Sequence, residues 1–146
     1  MFRVRTILYP TDFSSYSNQA YLHAVALAEV HRAVLTVVYV ASPGVDDDHE
    51  YWRGQLEQIR PANRRISVRH VFLHGDPATE IVSLARDAGI DLIVMGTHGR
   101  TGLERMVVGS VAERVLRDAP CSVLVVKLPR GAGRSEHPDL ALVAGR

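Results

Sequence analysis

The feature that most constrains this chain is the alternation of short apolar runs with segments of helical periodicity. Five runs rich in β-branched and aliphatic residues are predicted to be strands, at residues 4–9, 33–40, 66–73, 91–95 and 122–127. Helices are predicted between them, at residues 15–31, 46–58 and 77–88 and after Gly109. Strands that alternate with helices predict an α/β fold, an open doubly wound five-stranded parallel sheet with helices on both faces.

The order of the strands decides where a ligand would bind. Ligands of open α/β sheets lie outside the carboxyl ends of the strands, where the strand order reverses. In the order 3-2-1-4-5, the loop holding Thr11 and Asp12 meets the stretch from Gly96 to Gly109. In the order 2-1-3-4-5, the loop at residues 74–76 would lie at the reversal. The stretch from Gly96 to Gly109 is rich in glycine, which favours the order 3-2-1-4-5.

The stretch after the fourth strand, MGTHGRTGLERMVVGS, has glycine at positions 96, 99, 102 and 109. Glycine tolerates positive φ and lets a ligand approach the main chain, so such a loop can turn its N–H groups toward an anion. The helix after Gly109 would add a positive dipole end at Ser110 and Val111. A P-loop is excluded because no Lys follows Gly109, and the dinucleotide fingerprint is excluded because YPTDFSS follows the first strand. The stretch therefore predicts a phosphate site of another kind.

Several side chains near this site have two interpretations. Ser110 and Glu113 fit a capping box in which Ser110 caps the helix, and a capping hydroxyl can also turn toward phosphate. Asp12 either caps the first helix through its loop or accepts a hydrogen bond from a ligand. His98 and Arg100 either contact phosphate or lie in solvent. The sequence alone leaves these alternatives open.

Composition excludes several classes of partner and site. Lys and Arg number 17 against 16 Asp and Glu, so no charge imbalance suggests nucleic acid. The single cysteine, Cys121, excludes an intrachain disulfide framework and fits the cytoplasm, and its apolar neighbours predict a small buried hydrophobic residue. No apolar run approaches the roughly 20 residues of a membrane span. His70 and His74 are four residues apart in a strand and turn, a spacing that does not converge, so we predict no metal site.

Gly96-x-x-Gly99, then nine residues, then Gly109-Ser110 resembles the ATP-binding signature of the universal stress protein family. The first strand ending in Pro10-Thr11-Asp12 and the closing PCSVLVVK also resemble that family. The resemblance covers residues 1–128, which we predict to be one nucleotide-binding domain. Residues 129–146 have no counterpart and are predicted to be a flexible tail.

The resemblance implies a nucleotide-dependent regulatory or stress-response protein that binds ATP or another adenine nucleotide, any Mg being held by the phosphates. It implies that Thr11 and Asp12 contact the adenosine part and that the main chain of Val40 reads the adenine edge. It implies that the ribose and phosphates are surrounded by six residues, with Met95 beneath them: Gly96, Gly99, Arg100, Gly109, Ser110 and Val111.

The resemblance also implies the order 3-2-1-4-5 and a homodimer formed through the fifth strand, residues 122–127. We assign no catalytic residue and expect at most slow ATP hydrolysis, because phosphoryl transfer needs a positioned base and usually a metal-binding carboxylate. The alternative function is a slow ATPase or adenylate-transfer enzyme in which His98 or Asp12 performs acid–base work.

Overall fold

The structure is a computed structural model that describes residues 2–97 and 109–127. Strands and helices alternate throughout these residues, and each overlaps its predicted counterpart. In chain order they are β1 (Thr6–Pro10), α1 (Ser15–His31), β2 (Val34–Ala41), α2 (His49–Glu57), β3 (Val68–His74), α3 (Pro77–Asp87), β4 (Leu92–Gly96), α4 (Ser110–Asp118) and β5 (Ser122–Val126). The predicted tail, residues 129–146, lies outside the described residues.

The five strands form one parallel sheet in the order β3-β2-β1-β4-β5. β1 lies at the centre, and its Leu8 is opposite Thr36 of β2 on one side and Ile93 of β4 on the other. The winding direction reverses between β1 and β4, which is where ligands of such sheets bind. The observed order confirms 3-2-1-4-5 and rules out 2-1-3-4-5.

Helices cover both faces of the sheet, as predicted. Ile7 and Tyr9 of β1 point into a core covered by α1 and α2. Leu8 points into a second core, where it lies with Ile81 of α3 and Val115 of α4. Because both faces of β1 are buried, its sequence is a continuous apolar run rather than an alternating one.

Residues with strong capping preferences lie at the ends of α1 and α3. Ser14 is the N-cap of α1, and its hydroxyl accepts a hydrogen bond from the Ser17 N–H at 3.2 Å. Asp76 is the N-cap of α3, with Pro77 in its first turn. Gly89 follows the last turn of α3 with φ of +63°, a conformation that favours glycine. These helix boundaries thus coincide with residues that favour caps.

The outer strands are β3 and β5. β3 is only partly covered on both faces, as is usual for an edge strand. β5 exposes Ser122 and Leu124, the latter with 37% of its surface accessible. Cys121, just before β5, is half-buried rather than buried as predicted, because β5 lies at the rim of the sheet. Among the described residues, no helix combines the length and apolar character that crossing a bilayer requires.

Candidate functional site

The loops after β1 and β4 leave the sheet side by side. Leu8 of β1 is opposite Ile93 of β4, and continuing this parallel register puts Thr11 level with Gly96. The Thr97 N–H donates to the Val126 carbonyl of β5 at 3.2 Å, which fixes the chain just beyond β4. The structure therefore brings the loop of Thr11 and Asp12 next to Thr97, the start of the second predicted loop, at the reversal of strand order.

Thr11 and Asp12 organise the loop between β1 and α1. Thr11 is buried; its N–H donates to the Val38 carbonyl at 2.9 Å, and its hydroxyl accepts from the Phe13 N–H at 3.0 Å. Asp12 is half-buried, and its Oδ1 accepts from the Ser14 N–H at 3.0 Å. Asp12 thus shapes the turn before α1, whereas Ser14 is the cap of that helix.

Phe13 is a residue at this site that the sequence did not single out. Its φ is +64°, an unfavourable value for a bulky side chain that costs on the order of 1–3 kcal/mol. The ring is buried between Tyr39 and Trp52, with centroids 5.0 and 5.4 Å away. This packing offsets the strain and fixes how the loop enters α1. The available signal was an aromatic residue inside the polar run TDFSS.

The first turn of α1 lies against the end of β4. A Cβ atom built on Gly96 would be 2.6 Å from the Tyr16 carbonyl oxygen, closer than real contacts allow. On the sheet side of this turn, the buried hydroxyl of Tyr9 in β1 donates to the Ser17 carbonyl at 2.8 Å. Burial raises the pKa of Tyr9 far above its ordinary value, so this donor keeps its proton. Gly96 therefore has a packing role, beside the ligand contact predicted for it.

The two ends of the glycine-bearing stretch are joined. The Gly109 N–H donates to the Thr97 carbonyl, so the segment 98–108 begins and ends at the carboxyl end of β4. His98, Gly99 and Arg100 fall outside the described residues, and their predicted roles stay predictions. Met95 is buried in the core covered by α3 and α4, below this point.

Gly109, and not Ser110, is the N-cap of α4. Gly109 is extended, with φ of −68° and ψ of 162°, and Ser110 is the first helical residue. The predicted capping box of Ser110 with Glu113 is therefore wrong; the hydrogen bond to Thr97 keeps residue 109 extended and sets where the helix begins. No side chain caps α4 within the described parts of the chain. Its first N–H groups, including that of Val111, form a positive dipole end at the reversal of strand order.

The main chain of Val40 faces the same region. β1 ends at Pro10, opposite Val38, so β2 extends beyond its neighbour. The Val38 carbonyl accepts from Thr11 on the β1 side, and alternate residues of a strand direct their N–H and C=O groups to the same side. Val40 therefore directs its main-chain donor and acceptor past the end of β1.

Residues 3–127 match the sequence model of the universal stress protein family. The chain belongs to this family. Universal stress protein MJ0531 of Methanocaldococcus jannaschii is 39% identical to it over 142 residues, which cover 86% of this chain and 84% of that protein. UspA of Lactobacillus plantarum has a solved structure that matches with a TM-score of 0.74 and 27% identity, covering 85% of this chain and 98% of that one.

A further universal stress protein, solved in complex with cAMP, matches with a TM-score of 0.66 and 24% identity over 84% of this chain and 97% of that one. At that identity the likeness establishes the shared fold. In the present universal stress protein, the described site presents helix N–H donors at one end and a main-chain donor and acceptor at the other. Of the residues predicted to contact the ligand, the structure describes Thr11, Asp12, Val40, Gly96, Gly109, Ser110 and Val111, and the predicted Met95 lies in the core below them.

Proposed function

We propose that this universal stress protein binds an adenine nucleotide, ATP in the first instance, at the carboxyl ends of β1, β2 and β4. The observation that carries the proposal is the start of α4. Its cap, Gly109, has no side chain, and its hydrogen bond to Thr97 holds it beside the loop of Thr11 and Asp12. A helix start that no described side chain caps, at a reversal of strand order, is suited to phosphate.

The preference for adenine rests on the other end of the site. Val40 offers one N–H donor and one carbonyl acceptor beyond the end of β1, a pair that matches the amino group and ring nitrogen on one edge of adenine. Asp12 adds a carboxylate for a ribose hydroxyl. The family relative solved with cAMP supports an adenine nucleotide as the ligand class.

We propose a regulatory role rather than catalysis. Binding at Gly109 and Thr97 would act on both ends of the segment 98–108 at once, so occupancy can change the surface offered to a partner. β5 is an edge strand with Leu124 exposed, and we propose that residues 122–127 pair with a second copy in a homodimer. The single cysteine and the family resemblance favour the cytoplasm as the place of action.

Equilibrium titration of the purified chain with ATP and with GTP tests the proposal. Both carry the same phosphates, but guanine presents a carbonyl where adenine presents an amino group. We expect saturable ATP binding and clearly weaker GTP binding. Mass spectrometry of the small molecules released when the purified chain is denatured should detect a copurified adenine nucleotide. Absence of ATP, ADP and AMP binding at millimolar concentration would refute the proposal.

A further inference from the structure

His49 and His74 lie side by side although 25 positions separate them in the sequence. His49 is the first residue of α2, and His74 is the last residue of β3. The Nε2 atom of His74 lies 3.1 Å from the Nδ1 atom of His49, and the ring centroids are 4.3 Å apart. Both residues are exposed, and neither belongs to the nucleotide site described above.

The backbone and one aromatic ring hold the pair in place. His74 is fixed in the sheet opposite Ala41 of β2, and His49 follows the N-cap Asp48. The ring of Phe72 contacts both imidazoles edge to face, with centroids 5.6 Å from His49 and 5.2 Å from His74. The two nitrogens therefore face each other across a junction between a helix start and a strand end.

The spacing of the nitrogens suits a shared cation. Metal–imidazole bonds are roughly 2.0–2.1 Å long, so two imidazoles on one tetrahedral or octahedral ion have nitrogens about 2.9–3.4 Å apart. A direct hydrogen bond between the rings fits the same distance. At an exposed position, however, that bond competes with water and contributes little to stability. A metal ion would accept the lone pairs of His49 Nδ1 and His74 Nε2 at the same time.

We propose that His49 and His74 bind one divalent transition-metal ion of the imidazole-preferring class, such as Cu²⁺, Ni²⁺ or Zn²⁺. In the part of the chain that the structure describes, no group of three or more His, Cys, Asp or Glu side chains forms a metal site. Water would complete the coordination, and affinity should follow the order Cu²⁺ above Ni²⁺ and Zn²⁺. The bound ion would join the start of α2 to the edge strand β3.

The surrounding charges are compatible with a cation. Asp47, Asp48 and Glu50 flank His49 in the sequence, and the guanidinium of Arg53 lies 4.5 Å from the centre of the Phe72 ring. Asp48 accepts from the Tyr51 N–H and Asp47 accepts from the Gly44 N–H, so these two carboxylates already have partners and act on the site through their charge. Negative charge next to His49 in the sequence favours a divalent ion over an empty pair of imidazoles.

Trp52, the single tryptophan of the chain, reports on this site. It lies on α2 three positions after His49, about one turn away, and Cu²⁺ and Ni²⁺ quench tryptophan fluorescence at short range. We would titrate the untagged full chain with Cu²⁺ and with Ni²⁺ and follow Trp52 emission. The expected result is saturable quenching with one ion per chain.

His49→Ala and His74→Gln should each weaken this binding at least about tenfold, since loss of even an outer partner of a metal ligand costs roughly 10–100-fold. His23→Ala and His31→Ala, at exposed positions of α1, are matched controls that should bind as the unmodified chain does. Metal should also raise the melting temperature of the unmodified chain and of both controls, but not of the two site variants. Affinity within about twofold of the unmodified chain in either site variant would overturn the proposal.

Discussion

A Cβ atom at position 96 would lie 2.6 Å from the main-chain oxygen of Tyr16, so the first turn of α1 requires glycine at the end of β4. Neither backbone can yield without moving α1 on the sheet. Gly96→Ala should therefore lower the free energy of unfolding by about 1–3 kcal/mol, measured by urea denaturation. Gly54→Ala is the matched control: its added Cβ meets nothing within 4 Å on α2, and stability should hold or rise by about 0.5–1 kcal/mol. Equal stability of the two variants would contradict the close approach.

Two buried tyrosines should respond oppositely to loss of the hydroxyl. Tyr9 donates to the Ser17 carbonyl at 2.8 Å, so Tyr9→Phe should destabilise the fold by about 1 kcal/mol. The buried Tyr21 hydroxyl has no hydrogen-bond partner among the described residues, so Tyr21→Phe should be neutral or stabilising. Urea unfolding of both variants measures the difference. The reverse order of stability would show that the hydroxyl contacts are wrongly assigned.

Asp76 should make stability fall in acid. Its carboxylate accepts from the side chain and N–H of Thr79 and pairs with Arg114 at 2.7 Å, and these contacts, Thr79 first, lower its pKa below the ordinary 3.8. Because the pKa of Asp76 is lower in the folded state, its carboxylate stabilises the fold at pH values above the ordinary pKa of 3.8. This stabilisation is lost as the pH falls through the pKa of the folded state. Asp76→Asn keeps a good cap without the charge. It should cost less than about 1 kcal/mol at neutral pH, because the ion pair is exposed.

The measurement for Asp76 is the gap in unfolding free energy between the unmodified chain and Asp76→Asn, followed from neutral pH toward about pH 3. This gap should shrink as the carboxylate takes up its proton. Glu29→Gln, at an exposed position of α1, controls for loss of one surface charge. A gap for Asp76→Asn that stays constant over the whole range would contradict the assigned contacts.

Ser110 should affect ligand binding without affecting folding. It is exposed and is not the cap of α4, so Ser110→Ala should change the free energy of unfolding by less than about 0.5 kcal/mol. Loss of the hydroxyl that we propose to contact phosphate should lower ATP affinity by about two- to tenfold, the equivalent of one hydrogen bond. Ser110→Thr keeps the hydroxyl and is the control, with affinity near that of the unmodified chain. Loss of stability with unchanged affinity would support capping instead.

Much of the fold follows from local signals that depend on only a few neighbouring residues. The helix predicted at residues 77–88 agrees with α3 because Asp76-Pro77 and Gly89 mark its ends, and a cap, a fixed φ and a positive φ are properties of those residues. The strand order was inferred from the position of the glycines and the family resemblance, and it is confirmed.

The features that escaped prediction depend on tertiary contacts. The cap of α4 falls at Gly109 because Thr97, twelve positions earlier, holds that residue extended. Phe13 adopts positive φ because Tyr39 and Trp52 surround its ring. Spacing along the chain excluded a metal site at His70 and His74, but it could not show that packing of α2 on β3 brings His49 to His74.

Phosphate is proposed to bind at the start of α4, and calorimetric titration of Gly109→Ala with ATP measures this contact. Alanine tolerates the φ of −68° and ψ of 162° at this position, so the fold should persist. The added methyl group would occupy the path of the phosphates. We predict saturable ATP binding by the unmodified chain and by the control Gly54→Ala, and at least about tenfold weaker binding, 1.4 kcal/mol, by Gly109→Ala. ATP affinity undiminished in folded Gly109→Ala would show that phosphate does not bind at the start of α4.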